Sequence, residues 1–188
     1  MFGEIKELIS RYGGEHPWLI FAAIVILPGL GFPASILLLL AGAVWGADPG
    51  SALIAIGAVV LNIVWTHLVA AGPGKGIVAR LLGARWHRWQ DLPRNDLFKL
   101  TCMLRMTPGV PLCVQNYALG LLGVPLWQSI AVAIPFTGLY IFGFVLTGGA
   151  IFEGRAGLAL TGLCLVAAAG LGLRLLASRR KAVPDNSR

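Results

Sequence analysis

Apolar residues run along this chain in long blocks, and the blocks are interrupted twice by the same punctuation. Ser51 to Ala71 carries no Asp, Glu, Lys or Arg. Crossing a bilayer takes about 20 residues of helix, so this block predicts a spanning segment. Leu126 to Gly149 predicts a second, with Pro135 and Gly138 inside it as the seat of a kink. Ala156 to Ala177 predicts a third, with Ala168 and Gly172 small enough for close packing and Arg174 able to snorkel at its end. Pro17 to Leu30 is shorter; it crosses with help from preceding residues or stops partway. Phe2, Ile5, Leu8 and Ile9 fall at helical spacing and predict a short surface helix over 2–12.

The interruptions are the informative part. Arg105 to Gly120 lies between membrane-length blocks, yet Pro108 and Pro111 lack backbone donors and each disfavours helix in the residue before it. Gln115 and Asn116 bring two amides to the same depth. Broken backbone at that depth is tolerated where it is buried in protein or faces a watery cavity, so the stretch predicts a re-entrant hairpin. The pattern occurs once before. Gly31-Phe32-Pro33 is followed nine residues after the proline by Gly42, as Gly109-Val110-Pro111 is by Gly120, an offset of 78 in both cases. A short turn and a long apolar block follow each copy. Paired, interrupted segments in matching positions of two halves point to a transporter-type site.

Polarity is concentrated between Pro73 and Arg105, where seven basic residues against two acidic ones leave a net +5. Ile77, Val78, Leu81, Leu82, Trp86 and Trp89 fall on one broad helical face, which suits an interfacial amphipathic helix over anionic lipid. A second helix restarts at Asp91-Leu92-Pro93, with Leu97, Leu100, Thr101 and Leu104 inward. The 178–188 tail is also basic. Cation excess places this loop and the C-terminus on the cytoplasmic side, and the single crossing at 51–71 makes the two hairpins enter from opposite faces.

Composition agrees: 188 residues, 57% hydrophobic and 12% charged, suit one small polytopic membrane domain and no soluble fold. The net charge of +7 then reads as topology and lipid contact, with no nucleic-acid partner. The N-terminus lacks the pattern of a cleavable leader. Cys102, Cys113 and Cys164 form no Cys-x-x-Cys pair and read as reduced apolar residues. The expected fold is therefore an all-α polytopic membrane protein: an inverted repeat of two opposed re-entrant helical hairpins, plus spanning helices and a cytoplasmic amphipathic helix. Residues 1–188 form a single domain, with a core over about 28–150, a last span at 156–177 and a basic tail.

Arg105, Pro108, Pro111, Asn116-Tyr117 and Gly120, continuing through Pro135 and Tyr140 to Gly148, resemble the DedA superfamily, specifically its VTT-domain branch related to SNARE-associated Golgi proteins. Pro33, Gly42 and Gly46 fit that family's upstream motif. The resemblance implies two opposed re-entrant hairpins and an activity in moving lipids between leaflets.

The chemistry available suits anion handling. No metal-ligand cluster or catalytic fingerprint is present, no carboxylate falls within a predicted span, and no cofactor or enzymatic activity is expected. A broken helix offers unpaired amides at its N-terminus, and Arg105 adds a permanent cation whose fork matches phosphate oxygens. Gln115, Asn116 and Tyr117 are further candidate donors; Pro33, Pro108 and Pro111 keep the hairpins broken, and Gly42 and Gly120 are structural positions of the same hairpins. Each reading has a plainer competitor. Arg105 could be a snorkelling anchor, Asn116 a cap on its own hairpin, Asn62 and Thr66 an interhelical hydrogen-bonding face, and His67, pointing somewhat away from them, a structural histidine or a proton-handling group. The leading expectation is a flippase or scramblase for a phospholipid or polyprenyl phosphate, with membrane lipids as partners, in a cell (inner) membrane and with homo-oligomers open. The alternative is a small-solute or ion transporter through the same cavity.

One departure from the resembled family bears on energetics. Many relatives carry an acid two positions after the first hairpin's proline, linked to use of the proton gradient; here that position is Ser35. Serine does not titrate, so the sequence predicts passive exchange. In vesicles, an imposed pH difference should change neither rate nor end point of lipid exchange beyond what lipid protonation explains. A gradient dependence removed by His67→Gln would refute this and make His67 the coupling group.

Overall fold

The computed structural model describes residues 16–83, 97–106, 110–155, 160–164, 166–168 and 170–171. Among these every regular element is helical. The expected surface helix over 2–12, Trp86 and Trp89 of the amphipathic helix, His87, Pro108, Arg174 and the basic tail lie outside the described residues.

Helix α1 (Pro17–Ile26) runs into a 3-10 turn over Leu27–Leu30, and the chain reverses at Gly31, whose φ of 98° is the left-handed conformation glycine tolerates. Helix α2 (Ala34–Trp45) starts from Pro33, whose extended ψ of 114° ends the turn. Gly46 turns the chain again, and Asp48 caps α3 (Pro49–Ala71) by accepting from the Gly50 and Ser51 amides at 2.8 and 3.1 Å. The Ser51 hydroxyl, at 2.6 Å, holds that carboxyl below its usual range. A short helix α4 (Lys75–Leu82) follows. Beyond the undescribed 84–96 comes α5 (Leu97–Met106), then a break, then α6 (Leu112–Leu121) starting from Pro111, and α7 (Leu126–Phe152).

The Pro17–Leu30 block ends at a reversal: with the turn at Gly31 it forms the first arm of a helical hairpin, and the Gly31–Gly46 stretch supplies the turn and second arm. Apolarity alone does not say where a chain reverses. The Arg105–Gly120 hairpin likewise takes its first arm, α5, from the stretch read as polar. On α4, Val78 packs inward while Ile77 is exposed, so the expected single face divides. Leu104 and Thr101 are buried on α5 as expected. Helix α7 passes through Pro135 without interruption and ends three residues beyond the expected Gly149.

Helices α3 and α7, at 23 and 27 residues, are long and apolar enough to cross a membrane. At 1.5 Å per residue they measure about 35 and 40 Å, against a hydrocarbon layer of about 30 Å. In their apolar windows 44% and 39% of the residues are buried inside the protein, and apolar side chains on the remaining faces are partly or fully exposed. Leu53, Ile54, Leu61 and Leu68 on α3, with Ile134 and Leu139 on α7, are among those exposed. A belt of this kind needs an apolar solvent.

Ile24, Leu38, Ile63, Ile141 and Val145 form the centre of the core, where the first hairpin meets both long helices. Packing is exchanged between the halves: α2 lies chiefly on α7, and α6 lies extensively on α3. Glycines make the approach possible. A methyl added to Gly42 would stand 1.9 Å from the Val145 carbonyl oxygen, and one on Gly120 would stand 2.5 Å from that of His67. Gly42 and Gly120 are 78 residues apart, and so are His67 and Val145. The remaining helical residues of 160–171 lie along α7, where Gly143 and Gly162 face one another.

These contacts are backbone to backbone, so a larger residue must push two helices apart. Gly42→Val and Gly120→Val should each lower stability by about 1–3 kcal/mol, the usual penalty for overpacking. Gly57→Ala, with open space beside it, should not. Thermal unfolding in detergent tests this; parent-like melting of both valine variants would remove the close approach from the fold.

Candidate functional site

The two breaks and the middle of α3 converge on α6. Three consecutive residues there, about 100° apart around the helix, reach three different elements. Gln115 bridges its own hairpin: Nε2 donates to the Val110 carbonyl at 3.0 Å, and Oε1 accepts from Arg105 Nη1 at 3.3 Å. Asn116 turns to α3, donating through Nδ2 to Asn62 Oδ1 at 3.4 Å. Tyr117 reaches the first hairpin, its hydroxyl donating to the Gly29 carbonyl at 2.8 Å. Thus Gln115, rather than Asn116, ties down the break, and the expected capping role of Asn116 is replaced by a bond between helices.

Arg105 occupies the last turn of α5, where the helix dipole favours a cation. It is 6% exposed, far from a snorkelling anchor. Beyond Gln115, its Nη2 donates to Ser129 Oγ on α7 at 3.2 Å, while Nε has no partner. The acidic residues among those described, Asp48 and Glu153, sit in turns outside the helices. Glu153 is occupied there, accepting from the Ala47 amide at 3.2 Å and pairing with Arg155 at 3.1 Å. No described carboxylate therefore balances the buried guanidinium. Removing such a charge from water is costly unless something compensates it.

A second set of bonds seals the first hairpin. Asn62 Nδ2 and Trp65 Nε1 both donate to the Val25 carbonyl, at 2.7 and 2.6 Å. Pro28 interrupts α1 just beyond, and these side chains take up the backbone acceptor freed near the interruption. Thr66 does not join the interhelical set; its hydroxyl donates back to the Asn62 carbonyl at 2.5 Å. His67 points inward after all, 3% exposed, with the Val124 backbone as a hydrogen-bond partner and Nδ1 unpartnered. Ser35, near the start of α2, shares a hydrogen bond with Tyr140 of α7.

Of the candidate residues, the structure brings together Arg105 and Gln115 in one cluster, and Asn116, Tyr117 and His67 along the α3–α6 contact. Pro33 and Pro111 begin the second arms, and Gly42 and Gly120 are their contact points. Sequence reasoning missed Ser129, Trp65 and the Val25 and Gly29 carbonyls. Ser129 lies 24 residues from Arg105 on another helix, and nothing local marks it as a partner.

A buried cation whose hairpin leads into the N-terminus of α6, which has no side-chain cap, can receive an anionic group. Among the described residues no group of His, Cys, Asp and Glu is placed to hold a metal ion. No curated protein and no solved structure matches the chain. The model of the VTT domain does match, over residues 32–146, from the first break to the far half of α7. The match takes in Pro33, Gly42, Arg105, Pro111, Asn116 and Gly120, and the chain belongs to the VTT-domain family of membrane-associated proteins.

Proposed function

We propose that the protein moves a phosphate-bearing lipid, a phospholipid or polyprenyl phosphate, between leaflets, with Arg105 holding the phosphate partway across. The observation that carries this is the burial of Arg105 without a described counter-charge, beside a backbone break. An arginine in that position is favoured when an anion visits, and its planar fork suits phosphate oxygens. The apolar faces of α3 and α7 support a site within the membrane, where a headgroup meets its greatest barrier.

The transport geometry belongs to the same proposal. Two re-entrant hairpins enter from opposite faces as an inverted repeat, with the basic 73–105 loop and the C-terminus in the cytoplasm. The equal offsets of Gly42 and Gly120, and of the carbonyls they face, support the repeat. The short arms support re-entry, since 12 and 10 residues of helix reach about 18 and 15 Å, near half of the hydrocarbon layer.

Two experiments test the proposal. Arg105→Ala should slow lipid exchange in vesicles about ten- to a hundredfold, the range for losing a charge-assisted hydrogen bond, while the protein still inserts and stays monodisperse. Arg105→Lys should retain part of the rate, having lost the fork. Normal exchange by Arg105→Ala would leave the phosphate model without its centre. For topology, Ala34→Cys and Leu112→Cys in a cysteine-free background should be labelled from opposite sides of the membrane. Labelling of both from one side would end the inverted-repeat arrangement.

A further inference from the structure

The amide orientations at the α3–α6 contact are fixed by chemistry. Asn62 Nδ2 must face the Val25 carbonyl, 2.7 Å away, because that carbonyl can only accept. Asn62 Oδ1 is thereby turned toward Asn116, which must answer with its own Nδ2. The remaining atom, Asn116 Oδ1, has no partner, and the residue is 0% exposed. A buried acceptor left unpaired is costly, and here no reversal of either amide relieves it.

Arg105 Nε also lacks a partner, and Arg105 is held by Gln115, the residue next to Asn116 on α6. A ligand that satisfies both must offer an anionic oxygen to the guanidinium and an N–H or O–H to the neutral amide oxygen. Building on the lipid-transport reading, we infer that Asn116 Oδ1 selects lipids whose phosphate bears or adjoins a hydrogen-bond donor. The donor is an ammonium, a hydroxyl or the phosphate's own P–OH. A quaternary ammonium presents methyl groups instead, so it leaves Asn116 Oδ1 unpaired once water is excluded. Sites built to hydrogen-bond a group discriminate strongly against analogues that lack it.

The test is leaflet exchange by the purified full chain in vesicles, with acyl-labelled phosphatidylethanolamine, phosphatidylglycerol, phosphatidic acid and phosphatidylcholine. The donor-bearing lipids should exchange roughly tenfold faster than phosphatidylcholine, the factor that corresponds to one unmade buried hydrogen bond. Faster exchange of phosphatidic acid alone would assign the donor to the phosphomonoester; faster exchange of the other two would assign it to the headgroup. Asn116→Leu should collapse the ratio between donor-bearing lipids and phosphatidylcholine, a readout that a merely structural role does not move. Asn116→Asp keeps an acceptor and adds charge, so it should widen the preference for phosphatidylethanolamine over anionic phosphatidylglycerol, and it carries the test if the leucine variant fails to fold. Phosphatidylcholine moving as fast as the rest, or a ratio unmoved by Asn116→Asp, overturns the selectivity while transport stands. Exchange of no lipid at all overturns transport itself, and the selectivity with it.

Discussion

Inside a bilayer every backbone donor and acceptor must find a partner within the protein, and this chain interrupts its apolar helical segments twice. The consequences organise the interior. At the first break the carbonyls of Val25 and Gly29 are covered by Asn62, Trp65 and Tyr117; at the second, the carbonyl of Val110 is covered by Gln115. Each polar side chain in this set occupies a backbone acceptor at or beside a break in the helices. Arg105, with its Nε unpaired, does not fit that role, and this separates it from the sealing residues.

The exchange of packing follows from the same breaks. Helices of ten or twelve residues are marginal alone, so α2 and α6 depend on tertiary contacts for their stability. Each finds them on the long helix of the other half, at a glycine that lets the backbones touch. Lipid gives no hydrophobic drive for helices to associate, which leaves close backbone packing and hydrogen bonds to do it.

Chemistry is not distributed as evenly as backbone. Seventy-eight residues before Arg105, Gln115 and Asn116 stand Leu27, Leu37 and Leu38, and seventy-eight after His67 stands Val145. The glycine contacts occur in both halves, whereas the charged and amide groups gather around α5, α6 and the middle of α3. The polar groups thus come from the second hairpin and the long helix of the other half, while the positions 78 residues before Arg105, Gln115 and Asn116 are apolar.

The sequence by itself determined the breaks, the two long helices and the singularity of Arg105. These rest on covalent facts that hold in any surroundings: proline has no N–H, glycine accepts a positive φ, a run of apolar residues long enough to span excludes water, and arginine keeps its charge. Tertiary structure alone decided that Pro17–Leu30 is a hairpin arm, that His67 faces inward, that Ser129 meets Arg105 and that Asn116 bonds Asn62 rather than its own turn. In a soluble helix the polar face would have given such orientations away. Here the lipid-facing and protein-facing sides are both apolar, so periodicity carries little about which side a residue takes. Partners separated by 24 or 54 residues are chosen by which helices pack together, and no local pattern in the chain records that choice.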